Sequence, residues 1–158
     1  KEKYEYSDEE YMIVAPTGVE DIILEGNALT HCIANSDRYW DRIENRESYI
    51  LFLRKSTDPT KAFYTLEIEP DGTIRQKRST LNEQYEDIEQ ATGFLLKWQQ
   101  VVAKRLTTED RSLARQSRAL RTAEFEQLRK DQVSVRTGTL SGKLLVDVLM
   151  SDLMENAA

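Results

Sequence analysis

The chain has 158 residues, 28 Asp and Glu against 22 Lys and Arg, a net charge of −6 and 39% hydrophobic residues. That length suits one domain with a sizeable core, and an acidic chain is a poor non-specific grip on phosphate backbones. The single cysteine excludes an internal disulfide, and no stretch approaches the roughly 18 uninterrupted apolar residues of a membrane span, so a protein of a reducing cytoplasm without a membrane partner is expected.

The excess of acid lies in residues 1–50, while residues 104–130 are net basic. The chain opens on Lys1 with no charged-then-apolar leader, as a fragment of a longer protein would. Residues 1–10, KEKYEYSDEE, are polar and read as a loosely attached end. "YMIVAP" (11–16) is a short apolar run stopped by Pro16, the signature of an edge strand. Thr17 and Glu20 have capping-box spacing, and Val19, Ile22, Ile23, Gly26 and Leu29 follow at helical intervals, predicting a helix over about 18–30. A second short helix is expected over 36–48, with Tyr39, Trp40 and Ile43 facing inward.

"SYILFLRK" (48–55) and "KAFYTLEIE" (61–69) are β-branched and aromatic, and "PDG" (70–72) turns the chain into "TIRQKR" (73–78). These make an antiparallel meander of three strands, with 11–14 as a candidate fourth. From about 83 the pattern is helical. One helix is expected to about 106, and a second over 107–130 opens on a Thr107–Asp110 cap. After a polar spacer, an apolar helix over 140–156 carries Leu144, Leu145, Val148, Leu149 and Leu153 on one face. The expected class is α+β: a helix pair, a small antiparallel sheet of three to four strands, then long C-terminal helices. The expected division is a polar segment 1–10, an α+β domain 11–106 and a helical extension 107–158.

His31 and Cys32 are the chain's only histidine and cysteine, and they are adjacent. Helical neighbours point about 100° apart, so they do not readily act on each other as base and nucleophile. Cys32 lies three residues after Leu29 on the apolar stripe, which fits a packed thiol as well as a reactive one. Two such residues are too few for a structural zinc site, and no carboxylates stand at ligand spacing, so no metal is expected. The strands offer a polar set: Arg54, Glu67, Gln76 and Arg78, followed by Asn82. Whether these share a face depends on the turn. A two-residue Asp71-Gly72 turn pairs Glu67 with Gln76 and Thr65 with Arg78. A bulged Pro-Asp-Gly turn pairs Ile68 with Ile74 and sends Glu67 and Gln76 to opposite faces.

"EGNALTHCI", Tyr39, "ILFLRK" and "YTLEIEPDGTIRQKRSTLN" together resemble the PcfJ-like proteins of conjugative plasmids, phages and related bacterial elements. The family's Gly and Leu before a His-Cys-Val triplet fall on Gly26, Leu29, His31 and Cys32, with Ile33 in the valine's place. Its arginine-ended strand falls on Arg54, and its Thr-x-Glu strand on Thr65 and Glu67. Its Gln-x-Arg-Gly-x-x-Asn segment falls on Gln76, Arg78 and Asn82, with Ser79 where glycine is usual. The likeness covers about residues 11–100. It implies a mobile-element setting in a bacterial or phage-infected cytoplasm, a single polar site, and no known activity.

Two functions compete. In the first, an enzyme acts on an anionic substrate, a nucleotide or nucleic-acid end. His31 is then general acid or base, Glu67 its partner, and Cys32 a nucleophile or a packed thiol. Arg54 and Arg78 hold the anion, and Gln76 and Asn82 orient it. In the second, the chain is a binding or adaptor module that works on protein or nucleic acid through its C-terminal helices. Self-association through residues 139–156 is a third expectation.

Overall fold

The computed structural model describes residues 2–29, 37–79, 84–136 and 138–156, and for 26–29 and 37–40 the backbone alone. The class is α+β, with five strands rather than three or four. A 3-10 turn (Glu2–Tyr4) leads into β1 (Tyr6–Ser7) and β2 (Tyr11–Val14). Helices α1 (Val19–Leu29) and α2 (Asp37–Glu44) precede β3 (Tyr49–Lys55), β4 (Tyr64–Ile68) and β5 (Ile74–Arg78). Then come α3 (Asp87–Gln90), α4 (Thr92–Arg105), α5 (Thr108–Lys130) and α6 (Leu145–Asp152). The strands stand in chain order in one antiparallel sheet, β1-β2-β3-β4-β5.

Alternation of side chains separates the two faces of the sheet. One face carries Tyr11, Ile13, Leu51, Leu53, Tyr64, Leu66, Ile68 and Ile74, and packs on Ile88 of α3, Ala91 between the helices, and Phe94, Leu95, Trp98 and Val102 of α4. Residues 2–10 are not loose. Tyr4 is buried in this core, its carbonyl accepts the Trp98 indole N–H at 2.7 Å, and β1 pairs with β2. Aromatic side chains on a polar segment supply the reason, because Tyr buries area as well as a hydroxyl that here donates to the Pro70 carbonyl at 2.8 Å.

The opposite face carries Val14, Ile50 and Phe52, covered by Ile22 of α1 and Ile43 of α2. Helix α1 is rotated from the expected stripe: Ile22 and Glu25 are buried, while Val19, Ile23 and Leu24 are exposed. The Thr17–Glu20 capping box is replaced by Asp21, whose Oδ2 accepts the Thr17 N–H and hydroxyl at 2.7 and 2.6 Å. The surroundings of Gly26 lie outside the described side chains.

The β4–β5 hairpin combines both expected registers. Next to the turn Ile68 pairs with Ile74, and beyond an irregularity between Glu67 and Ile68 the pairs become Glu67–Gln76 and Thr65–Arg78. Gly72, at φ +89°, closes the turn with its N–H on the Glu69 carbonyl at 2.9 Å. An extra residue, Arg75, restores the two-residue register one step later.

The C-terminal half is tied back to this hairpin. The expected cap of α5 forms: the Thr107 hydroxyl accepts the Asp110 N–H at 3.1 Å and Asp110 accepts the Thr107 N–H at 2.9 Å. From α5, Arg121 reaches Glu69 at 2.8 Å, and Arg75 bonds both Glu69 at 2.8 Å and Glu47 at 2.9 Å. The single helix expected to 106 breaks into α3 and α4, and the last helix is shorter than 140–156. Lys143 and Val135 join the strand-like flank of a turn instead, and after α6 the Met154 backbone bridges Ile74 in both directions at 2.8 and 2.9 Å. The outer edge of β5 is thereby covered.

Candidate functional site

The register places Arg54, Thr65, Glu67, Gln76 and Arg78 on the sheet face that α1 and α2 cover. Residues 30–36, which join those two helices, include His31 and Cys32. Both lie outside the described residues, as does Asn82.

Glu67 is 1% exposed and saturated. Its Oε2 accepts the Arg42 Nε–H at 2.6 Å and the Ser48 hydroxyl at 2.6 Å, and its Oε1 accepts Arg42 Nη2 at 3.1 Å. A carboxylate gripped this way braces α2 against β4 and has little left for proton transfer. Neither Arg42 nor Ser48 was legible as its partner in the sequence.

Arg54, over the Phe52 ring at 5.3 Å, donates to Oε1 of Glu25 at 2.6 Å. Glu25 comes from α1 and is 5% exposed. Its second oxygen, Oε2, is buried and has no donor among the described residues. Burial pushes the Glu25 carboxyl above the usual carboxylate range, with the nearby Arg54 charge pulling the other way. The sequence signal for Glu25 was a charge three residues after Ile22, at the spacing of a buried stripe.

Arg78 turns to the sheet edge, where its Nη2 meets Asp152 of α6 at 3.0 Å. Asp152 also accepts the Lys77 backbone N–H at 3.3 Å and the Gln84 side-chain amide. Arg54 and Arg78 stand on β3 and β5, about 10 Å apart across the sheet, and each is held by a carboxylate from a different helix. They are two separate anchors, not one clamp. Among the described residues no cluster of His, Cys, Asp and Glu forms a metal cage, and no described helix is long and apolar enough to cross a membrane.

Comparison with known proteins gives two matches. The family model described as "PcfJ-like protein" matches residues 1–92. "Uncharacterized protein Lin1253/Lin1744" of Listeria innocua is 33% identical over 84 residues, 52% of this chain and 18% of that protein's length. The chain therefore spans less than a fifth of this relative. No solved structure matches.

Proposed function

The chain belongs to the PcfJ-like family, and on that premise we propose that its helix-covered sheet face is an acid–base site acting on an anionic substrate, a nucleotide or nucleic-acid end. One observation carries this reading: the buried Oε2 of Glu25 has no donor among the described residues, although the carboxylate's other oxygen holds Arg54. An unfilled buried acceptor with a raised pKa beside a cation is a common property of reacting groups. In this reading Glu25 takes the role first expected of Glu67. It orients the His31 imidazole, which moves the proton, and Arg54 holds the substrate anion as Glu25 turns to the ring. Glu67, with Arg42 and Ser48, keeps the face rigid. The mobile-element setting implied by the family resemblance suits a nucleic-acid substrate.

Because the chain has one histidine, its imidazole signal in NMR needs no assignment. The imidazole pKa should fall by about half a unit or more in Glu25→Gln, since a nearby carboxylate favours the charged ring. An unchanged pKa in a folded Glu25→Gln variant overturns the proposed pair.

A binding module without turnover is the second reading. It is favoured by the separate closure of Arg54, Glu67 and Arg78 in ion pairs. In that case His31→Ala leaves ligand affinity intact.

A further inference from the structure

Beyond the matched residues 1–92, the C-terminal segment folds back and closes a cavity of about 370 Å³ against the end of β5. Among the described residues, Arg78 and Gln84 of its lining come from the family-matched part and the rest from residues 139–152. It shares no side chain with the Glu25–Arg54 pair.

The cavity lining carries two cations, Arg78 and Lys143, and two carboxylates, Asp147 and Asp152. Asp152 is engaged by Arg78, by the Lys77 N–H and by Gln84. Asp147 is engaged by Arg129 at 3.2 Å. Lys143, in contrast, has no ion pair among the described residues and is the lining cation that no carboxylate holds. Leu140 and Val148 form an apolar wall beside it, and Ser151 adds a hydroxyl. A cation with no carboxylate partner, a hydroxyl donor and an apolar wall are what recognition of an oxyanion on a small apolar body requires.

We infer that this composite cavity binds a small organic phosphate monoester, its phosphate held by Lys143 and the Ser151 hydroxyl and its organic part against Leu140 and Val148. The binding specificity then belongs to the segment that this chain adds to the family core.

Phenyl phosphate and inorganic phosphate are the probes, titrated into the whole chain at fixed ionic strength and followed by amide NMR shifts. Phenyl phosphate should bind saturably, and several-fold more tightly than inorganic phosphate. Lys143→Ala, at an exposed position, should weaken it about tenfold, and Ser151→Trp, which fills the cavity, should abolish it. Arg115→Ala on the exposed face of α5 should leave it unchanged. Absence of saturation, equal binding by Lys143→Ala, or equal loss in Arg115→Ala overturns the inference, the last by showing charge screening alone. Since neither Glu25 nor His31 enters these measurements, their result is independent of the imidazole titration.

Discussion

Asp152 illustrates how a side chain far along the chain sets the behaviour of a strand residue. Burial pushes its carboxyl up to about 6, against the pull of Arg78, the Lys77 backbone N–H, the Lys77 charge and the Gln84 amide. The hydration it gives up thus outweighs the ion pair it gains. The folded chain holds this proton more tightly than the unfolded chain, where Asp titrates near 3.9. Its protonation therefore stabilises the fold fully below about 4, and that stabilisation is lost as pH rises through about 6. The loss amounts to on the order of 3 kcal/mol for a two-unit shift. Asp152→Asn, which imitates the protonated form, should match the parent chain in urea unfolding at pH 4 and exceed it by about 2 kcal/mol at pH 7. An equal gap at both pH values would show that Asp152 does not titrate in this range. None of this was legible in "VLMSDLM", where Asp152 reads as the polar side of an apolar helix. The same holds for Glu25 and Arg42: their partners stand 29 and 25 residues away, and nothing local announces such a pair. Glu67 was legible as unusual because it interrupts an apolar strand, but its role was not, since that depends on what the fold brings to it.

Elements whose periodicity is strong were readable in the sequence: α4, the cap of α5, and the three strands of the meander. The hairpin register was readable only as two alternatives, because alternation and turn chemistry pointed in different directions. The fold satisfies both by placing Arg75 as an extra residue, so that the apolar pair Ile68–Ile74 and the polar pair Glu67–Gln76 coexist. That solution depends on the turn glycine. Gly72 has φ +89°, and a Cβ there would meet Val102 Cγ1 at 3.2 Å and Asn156 Nδ2 at 3.3 Å. Gly72→Ala should cost about 2 kcal/mol, from left-handed strain plus crowding of a packed core atom. Thermal unfolding should show it as a drop of several degrees, and a neutral substitution would mean the turn can relax without disturbing the bulge. The N-terminal segment and α6 were misjudged for a shared reason. Both are short pieces whose order comes from docking on distant surfaces, Tyr4 under Trp98 and Met154 beside Ile74, and short elements have little periodicity of their own.

At the scale of the molecule, the family-matched stretch and the stable unit are not the same set of residues. The match ends at residue 92. The core face of the sheet, however, is covered by Phe94, Leu95, Trp98 and Val102, which follow it. The hairpin that carries Glu67 and Gln76 is held from behind by Gln99 on the Gly72 carbonyl at 3.0 Å and by Asn156 on the Asp71 carbonyl at 2.7 Å. Arg121 of α5 shares Glu69 with Arg75, so removing the helix takes one of the two cations from a buried carboxylate. Each of four large apolar side chains in a core contributes about 2 kcal/mol or more by burial, so losing α4 alone forfeits most of the 5–15 kcal/mol that hold an ordinary domain together. A fragment of residues 1–92 should therefore fail to unfold cooperatively in urea and should lack dispersed amide signals. A chain ending at 144 keeps α4 and α5 but uncovers the β5 edge and frees Arg78. It should unfold cooperatively, at a urea midpoint well below that of the full chain, and show a tendency to self-associate through the bared edge. A cooperative 1–92 fragment would mean that the sheet closes its own core, and would return α4 to the status of an appendage.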